Sequence, residues 1–188
     1  MLSSNLIQLL VAVAPALPAS FLDYGVEDIQ WEVQAFPGGP LLNLTGTVEQ
    51  AHDELVRLNP NFTDDFPFQP ENSLQARTDF GGSSYNCNTN VWGLASKHEI
   101  ENGISYLWHW KQCDIGNCGR VSCSGDAAIW WCNDARETKT LASFGSIADG
   151  AQFIVDRCTV QRGQWTTVAS GQEFHQSSWN VIARQDSC

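Results

Sequence analysis

Residues 118–134, CGRVSCSGDAAIWWCND, place three cysteines and two adjacent tryptophans within seventeen positions, and their reading decides the fold. The spacing of Cys118, Cys123 and Cys132 is C-x4-C-x8-C. It lacks the paired C-x2-C or H-x3-H signature of tetrahedral zinc sites, so the three thiols read as disulfide staples of an extracellular chain. GRVSC (119–123) and AAIWWC (127–132) are strand candidates. Because successive strand residues point to opposite faces, Trp130 and Trp131 belong to different sides of the sheet.

Working outward, YNCNTNVW (85–92) reads as strand. A capping box, Ser96 with Glu99, opens a helix whose Ile100, Ile104, Leu107 and Trp108 share one face. Gly103 inside that helix costs about 1 kcal/mol relative to alanine, so tertiary packing must hold it. Trp108 and Trp110, two apart on a helix, are turned roughly 200° from each other. Ser146 with Asp149 resembles a further capping box, opening a helix that carries Ile147, Ala151, Ile154, Val155 and Cys158 toward the core. QWTTVA (164–169) and SWNVIAR (178–184) are the closing strands. The order β-α-β-β-α-β-β predicts an α+β domain over 85–188, an antiparallel or mixed sheet with two helices packed on it. If both helices cover one face, the second tryptophan of each pair is exposed or covered by the preceding segment. Trp110, Trp130 and Trp131 are therefore the candidate interaction surface.

Upstream, residues 1–20 hold an apolar run, Leu6 to Leu17, followed by small residues. They read as a signal peptide, since the run is too short to span a bilayer. Residues 21–58 form an acidic leader or propeptide unit. In it, DIQWEVQA (28–35) alternates as a half-buried strand, Pro37-Gly38-Gly39-Pro40 turns the chain, and Leu42 and Leu44 alternate with Asn43 and Thr45. Thr47 with Gln50 then caps a helix carrying Val48, Ala51, Leu55 and Leu58, stopped at Asn59-Pro60. Residues 59–84 lose all periodicity and read as a linker. Arg77 is its only basic residue and its candidate cleavage point, with no dibasic pair nearby. Asn43 and Asn61 each begin a glycosylation sequon.

Charge divides unevenly. Residues 1–80 carry 11 acidic and 2 basic side chains, residues 81–188 carry 10 and 8, and the chain totals −11. Neither part has the basic patch that nucleic-acid binding needs. All seven cysteines lie at or beyond Cys87. With the sequons and the signal peptide they point to a secreted, extracellular protein, and the odd count leaves one thiol over. The four histidines stand at no recognised catalytic spacing and read as surface or half-buried. Asp126, Asp134 and Glu137 cluster near the tryptophans, but a glycosidase needs an acid and a second carboxylate at a defined separation. No catalytic residue, metal ligand or cofactor site is assigned.

The stretches YNCNTNVWG, CGRVSCSGDAAIWWC, SIADGAQFIVDRC and WNVIARQDSC together resemble the smut-fungus killer toxins of the killer-protein-four type and related small secreted fungal proteins. The resemblance covers about residues 85–188. It implies a disulfide-stapled α/β-sandwich with helices on one face. It also implies Cys87 bridged to Cys158 and Cys132 to Cys188, with Cys118 and Cys123 pairing with each other or with Cys113. Those toxins inhibit competing cells through a basic surface, which this chain lacks. The expected function is a secreted, non-enzymatic, monomeric effector or antagonistic toxin acting on a host or competitor cell-surface target. The alternative is a carbohydrate-binding or cell-wall hydrolytic protein that meets a cell-wall glycan with exposed tryptophans.

Overall fold

The computed structural model describes residues 25–67, 77–87, 89–108, 110–163 and 166–188; the signal-peptide reading falls outside them. Two antiparallel strands come first, β1 (Gln30–Gln34) and β2 (Leu41–Thr45), followed by helix α1 (Val48–Leu58). The predicted alternation is present, with Ile29, Trp31 and Ala35 buried. The Thr47–Gln50 box is also formed, and the Thr47 amide donates to Gln50 Oε1 at 2.9 Å. A short helix, α2 (Phe62–Asp65), then begins the stretch expected to be linker.

The remaining elements, in chain order, are β3 (Ser84–Asn86), α3 (Thr89–Trp92), α4 (Lys97–Leu107), β4 (Lys111–Ile115), β5 (Cys118–Ser124) and β6 (Ala127–Asn133). They are followed by β7 (Lys139–Ser143), α5 (Gly145–Cys158), β8 (Thr159–Arg162), β9 (Thr166–Ala169), β10 (Gly171–His175) and β11 (Trp179–Gln185). The central sheet runs β3-β10-β11-β6-β5, antiparallel throughout. β4 pairs with β7 and β8 with β9 in two-stranded ribbons. The class is α+β, as the element order predicted.

Helix α4 packs against β5 and β6, and α5 against β10 and β11. Both bury their apolar stripes in one core with Ile129, Trp131, Val181 and Ala183. Gly103 sits where α4 presses on the sheet. A Cβ there would lie 2.2 Å from Ser122 Oγ and 3.1 Å from Ile129 Cδ1, so the close approach offsets the helix-propensity cost. Gly103→Ala is expected to destabilise by about 2 kcal/mol despite alanine's better propensity, as overpacking does. Chemical denaturation checks this, and an unchanged or raised midpoint would remove the packing argument. The β5–β6 hairpin turns on two residues, Gly125 and Asp126, with φ +58° at Gly125, a conformation glycine adopts without steric cost.

The acidic segment belongs to this core. Ile29, Trp31, Val48 and Ala51 bury with the helices and sheet. Trp31 stacks on Phe144 at 4.3 Å, and its indole N–H donates to the Gly46 carbonyl at 2.8 Å. Main-chain bonds join Cys118 N to Gly25 O and Glu27 N to Cys118 O, each 2.9 Å. The Glu49 carboxylate accepts from Ser122 Oγ and the Cys123 amide, and Glu27 Oε1 accepts from the amides of Gly116 and Asn117.

Three expectations are corrected. YNCNTNVW is strand only in its first residues and helical from Thr89, where α3 brings Trp92 onto the sheet. Helix α5 starts one residue before Ser146 with Phe144 at its N-cap, so Ser146 is not the cap. Helix α4 ends at Leu107, which leaves Trp110 outside it and makes the 200° argument inapplicable.

Candidate functional site

The cysteines close three bridges, Cys87–Cys158, Cys118–Cys132 and Cys123–Cys188. The first is the pairing the resemblance implied. The other two replace the implied Cys132–Cys188 and the pairing of Cys118 with Cys123 or Cys113. The reason is register: Cys118 faces Cys132 directly across β5 and β6, with Cα atoms 4.1 Å apart. Direct opposition on adjacent strands puts the two side chains side by side on one face, whereas Cys123, near the hairpin end, lies beside the returning C-terminus. The seventh cysteine, Cys113, lies in β4, and its side chain is outside those described.

The tryptophans are not an exposed platform. Trp131 is fully buried on the helix-bearing face. Trp130 does point to the opposite face, yet it is 8% exposed. It is enclosed with Trp92, Ala128, Ile182 and the Cys118–Cys132 bridge. Its indole N–H donates to Asp186 Oδ2 at 3.0 Å, and the Arg120 guanidinium lies 5.9 Å from the ring. Trp110 is half-buried, its ring edge-on to Trp31 at 5.0 Å. The acidic segment thus covers one tryptophan, while α3 and a disulfide cover the other. Both sequon asparagines, Asn43 and Asn61, are exposed.

Of the candidate acids, Asp126 is far from Asp134, and Glu137 follows Asp134 in the loop after β6. Asp126 and Asp134 stand just beyond opposite ends of β6, about 26 Å apart at the rise of a strand, well outside the spacing of a glycosidase pair. Asp126 Oδ1 accepts from the Ser96 amide and Asp134 Oδ1 from Asn180 Nδ2. His52 packs between Phe62 and Tyr106, His98 meets Asn102, and His109 lies outside the described residues. His175 stacks on Trp179 at 4.8 Å, and burial together with the nearby Lys139 charge lowers its pKa. Among the described residues no group of three or more His, Cys, Asp or Glu side chains could hold a metal ion, and no helix is long and apolar enough to cross a membrane.

What the fold does assemble is a cleft of about 350 Å³ between the outer side of α5 and residues 77–85. Phe80, Tyr85 and Phe153 supply aromatic surface; Arg77, Asp149, Asp156 and Arg157 supply charge. The Arg157 guanidinium lies 3.8 Å from the centroid of the Phe153 ring and 5.8 Å from that of Tyr85. Phe80 fixes the wall, buried and edge-on to Trp179 and His175. Asp149, 8% exposed, accepts the Thr78 amide at 2.8 Å on Oδ2. Burial raises its pKa, while that hydrogen bond and the Arg77 charge act the other way.

Beside Ser83 of this cleft lies Glu173, on the helix-facing side of β10 between Val181 of β11 and Tyr85 of β3. It is fully buried, and neither carboxyl oxygen has a hydrogen-bond partner among the described residues. Desolvation pushes its pKa up to about 8, and the Asp134 charge adds to the shift. Glu173 is therefore mostly protonated at neutral pH.

Sequence reasoning missed this cleft. Its residues are scattered from 77 to 157, and the polar QE of GQEFH concealed a central strand. Asp149 gave no signal: it lies about 200° around α5 from Ile147, away from the apolar stripe, and is buried because residues 77–85 lie over it.

These elements define a disulfide-stapled α+β protein whose N-terminal β-β-α unit shares its core. No family model, curated protein or solved structure matches the chain.

Proposed function

We propose that the chain is a secreted, non-enzymatic protein with the sandwich arrangement of the killer toxins, acting outside the cell as an effector or antagonistic toxin on a host or competitor cell. The observation that carries this reading is the disulfide framework: three bridges within residues 87–188 suit an oxidising destination and a small domain that must persist there. A growth or necrosis assay with oxidised and with reduced, alkylated protein tests it. The oxidised form is expected to act and the reduced form to lose at least tenfold in potency, on the order of the 2–5 kcal/mol that loss of native disulfides costs. Undiminished activity after reduction, or none in the oxidised form, contradicts the reading.

The second reading, carbohydrate binding, loses its exposed tryptophans, but one observation favours it at another place. The cleft over α5 combines Phe80, Tyr85 and Phe153 with the polar groups of Gln152, Asp156 and Arg157, the mixture a sugar needs for stacking and hydrogen bonding. Pull-down on chitin, glucan and peptidoglycan separates it from the first reading. Retention on any of them that Phe153→Ala abolishes would select it.

A further inference from the structure

The peptide bond between Arg77 and Thr78 joins an exposed arginine to a residue whose amide is held by a buried carboxylate. The chain has 10 lysines and arginines in all. Arg57, Lys97, Lys111, Arg120, Lys139, Arg157, Arg162 and Arg184 lie within helices or strands, which a protease must unravel to cut. Two remain in connecting chain, Arg77 and Arg136. The loop of Arg136 is tied down, since Asn133 donates to the carbonyls of Ile115 and Glu137 and accepts from the Ala135 amide. Arg77 has no such restraint on its own main chain among the described residues. Anchoring begins immediately after it, with Thr78 on Asp149 and Phe80 in the core.

Hydrolysis at this bond has a specific consequence. An arginine-directed protease adds water across the Arg77–Thr78 amide, leaving a carboxylate on Arg77 and an α-ammonium on Thr78. That nitrogen already stands 2.8 Å from Asp149 Oδ2. A neutral N–H donor to a buried acid becomes a cation paired with it, the arrangement in which a desolvated carboxylate is best compensated. The upstream piece contains no cysteine. It is nonetheless held by Ile29, Trp31, Val48 and Ala51 in the core, by the Glu49 and Glu27 carboxylates, and by the main-chain bonds to Cys118.

We propose that Arg77–Thr78 is a processing site, and that cleavage there yields a two-chain protein in which Asp149 captures the new Thr78 terminus while the acidic segment stays docked. Processing on this account completes the molecule and does not unveil it.

The test uses the oxidised secreted protein and trypsin under native conditions. The expected first cut gives a chain beginning Thr78-Asp79-Phe80. The two pieces should co-elute in gel filtration and separate in denaturant without reductant, and Arg77→Gln should abolish the cut. Nicking should lower the melting temperature of Asp149→Asn by about 5 °C more than that of the parent protein, given a few degrees per kcal/mol for a domain of this size. Acetylation supplies a readout that does not depend on that variant's stability: in the folded, nicked parent protein the Thr78 amine should react at least tenfold more slowly than after denaturation. A first cut elsewhere, separation of the pieces in native buffer, or a Thr78 amine that reacts equally fast folded and unfolded would each overturn the proposal.

Discussion

Replacing Cys87 and Cys158 together by serine is expected to lower the melting temperature of the oxidised protein by on the order of 10 °C. The bridge spans 71 residues, the longest separation of the three, and the chain-entropy model assigns such a loop about 4 kcal/mol. At a few degrees per kcal/mol, that is a large share of a small protein's stability. The bridge ties the C-terminus of α5 to the chain just beyond β3, the edge strand of the central sheet. Replacing Cys118 and Cys132 should cost less. Their separation is only 14, and β5 and β6 remain paired by their hydrogen bonds. Thermal unfolding of both double variants by circular dichroism checks the order. A larger loss from the Cys118–Cys132 pair would contradict it.

Glu173→Gln is expected to remove a pH dependence that the parent protein should show plainly. The carboxyl is raised from its ordinary 4.5 to about 8 by burial. Below about pH 4.5 it is protonated whether the chain is folded or not, and its folding contribution is then at its most favourable. As pH rises, the unfolded chain releases the proton first while the folded chain must keep it. Stability therefore falls until about pH 8, beyond which this group adds no further slope. Between pH 5 and pH 8 the loss amounts to about 3 kcal/mol. The glutamine variant keeps the shape without the proton, so its denaturation midpoint should change far less over that range and exceed the parent's at pH 8. Equal slopes for the two proteins would mean that Glu173 is not buried as described.

How much of this was legible in the sequence depended on whether the information was local. The alternation of Ile29, Trp31 and Ala35, the Thr47–Gln50 cap, the stripe of α4 and the opposed faces of Trp130 and Trp131 are short-range, and the structure has them. Register is not local. That Cys118 meets Cys132, and therefore that Cys123 is left for Cys188, follows from how β5 lies on β6, which no spacing along the chain reveals. Strand β10 was hidden because Gln172 and Glu173 are polar yet buried. Gln172 is partnered through Asn180, and Glu173 is accommodated as a mostly neutral acid. The acidic segment reads as a separate unit by charge, yet Trp31 and Val48 place it in the common core, because its acids lie on the side away from the packing or, like Glu49, cap groups of the sheet. The cleft over α5 draws its walls from two distant segments and had no linear signature at all.

The cross-strand register of β5 on β6 sets the bridges, and disulfide mapping tests it most directly. The oxidised protein, alkylated at free thiols and unfolded in denaturant at near-neutral pH, is digested with trypsin and with a protease that cuts before aspartate, which separates Cys113, Cys118, Cys123 and Cys132 onto different peptides. The predicted linked species are DIGNCGR with DAAIWWCN, VSCSG with DSC, and the Cys87 peptide with CTVQR. Recovery of DAAIWWCN linked to DSC would contradict the register of β5 on β6, and with it the placement of Trp130, the C-terminus and the docked acidic segment.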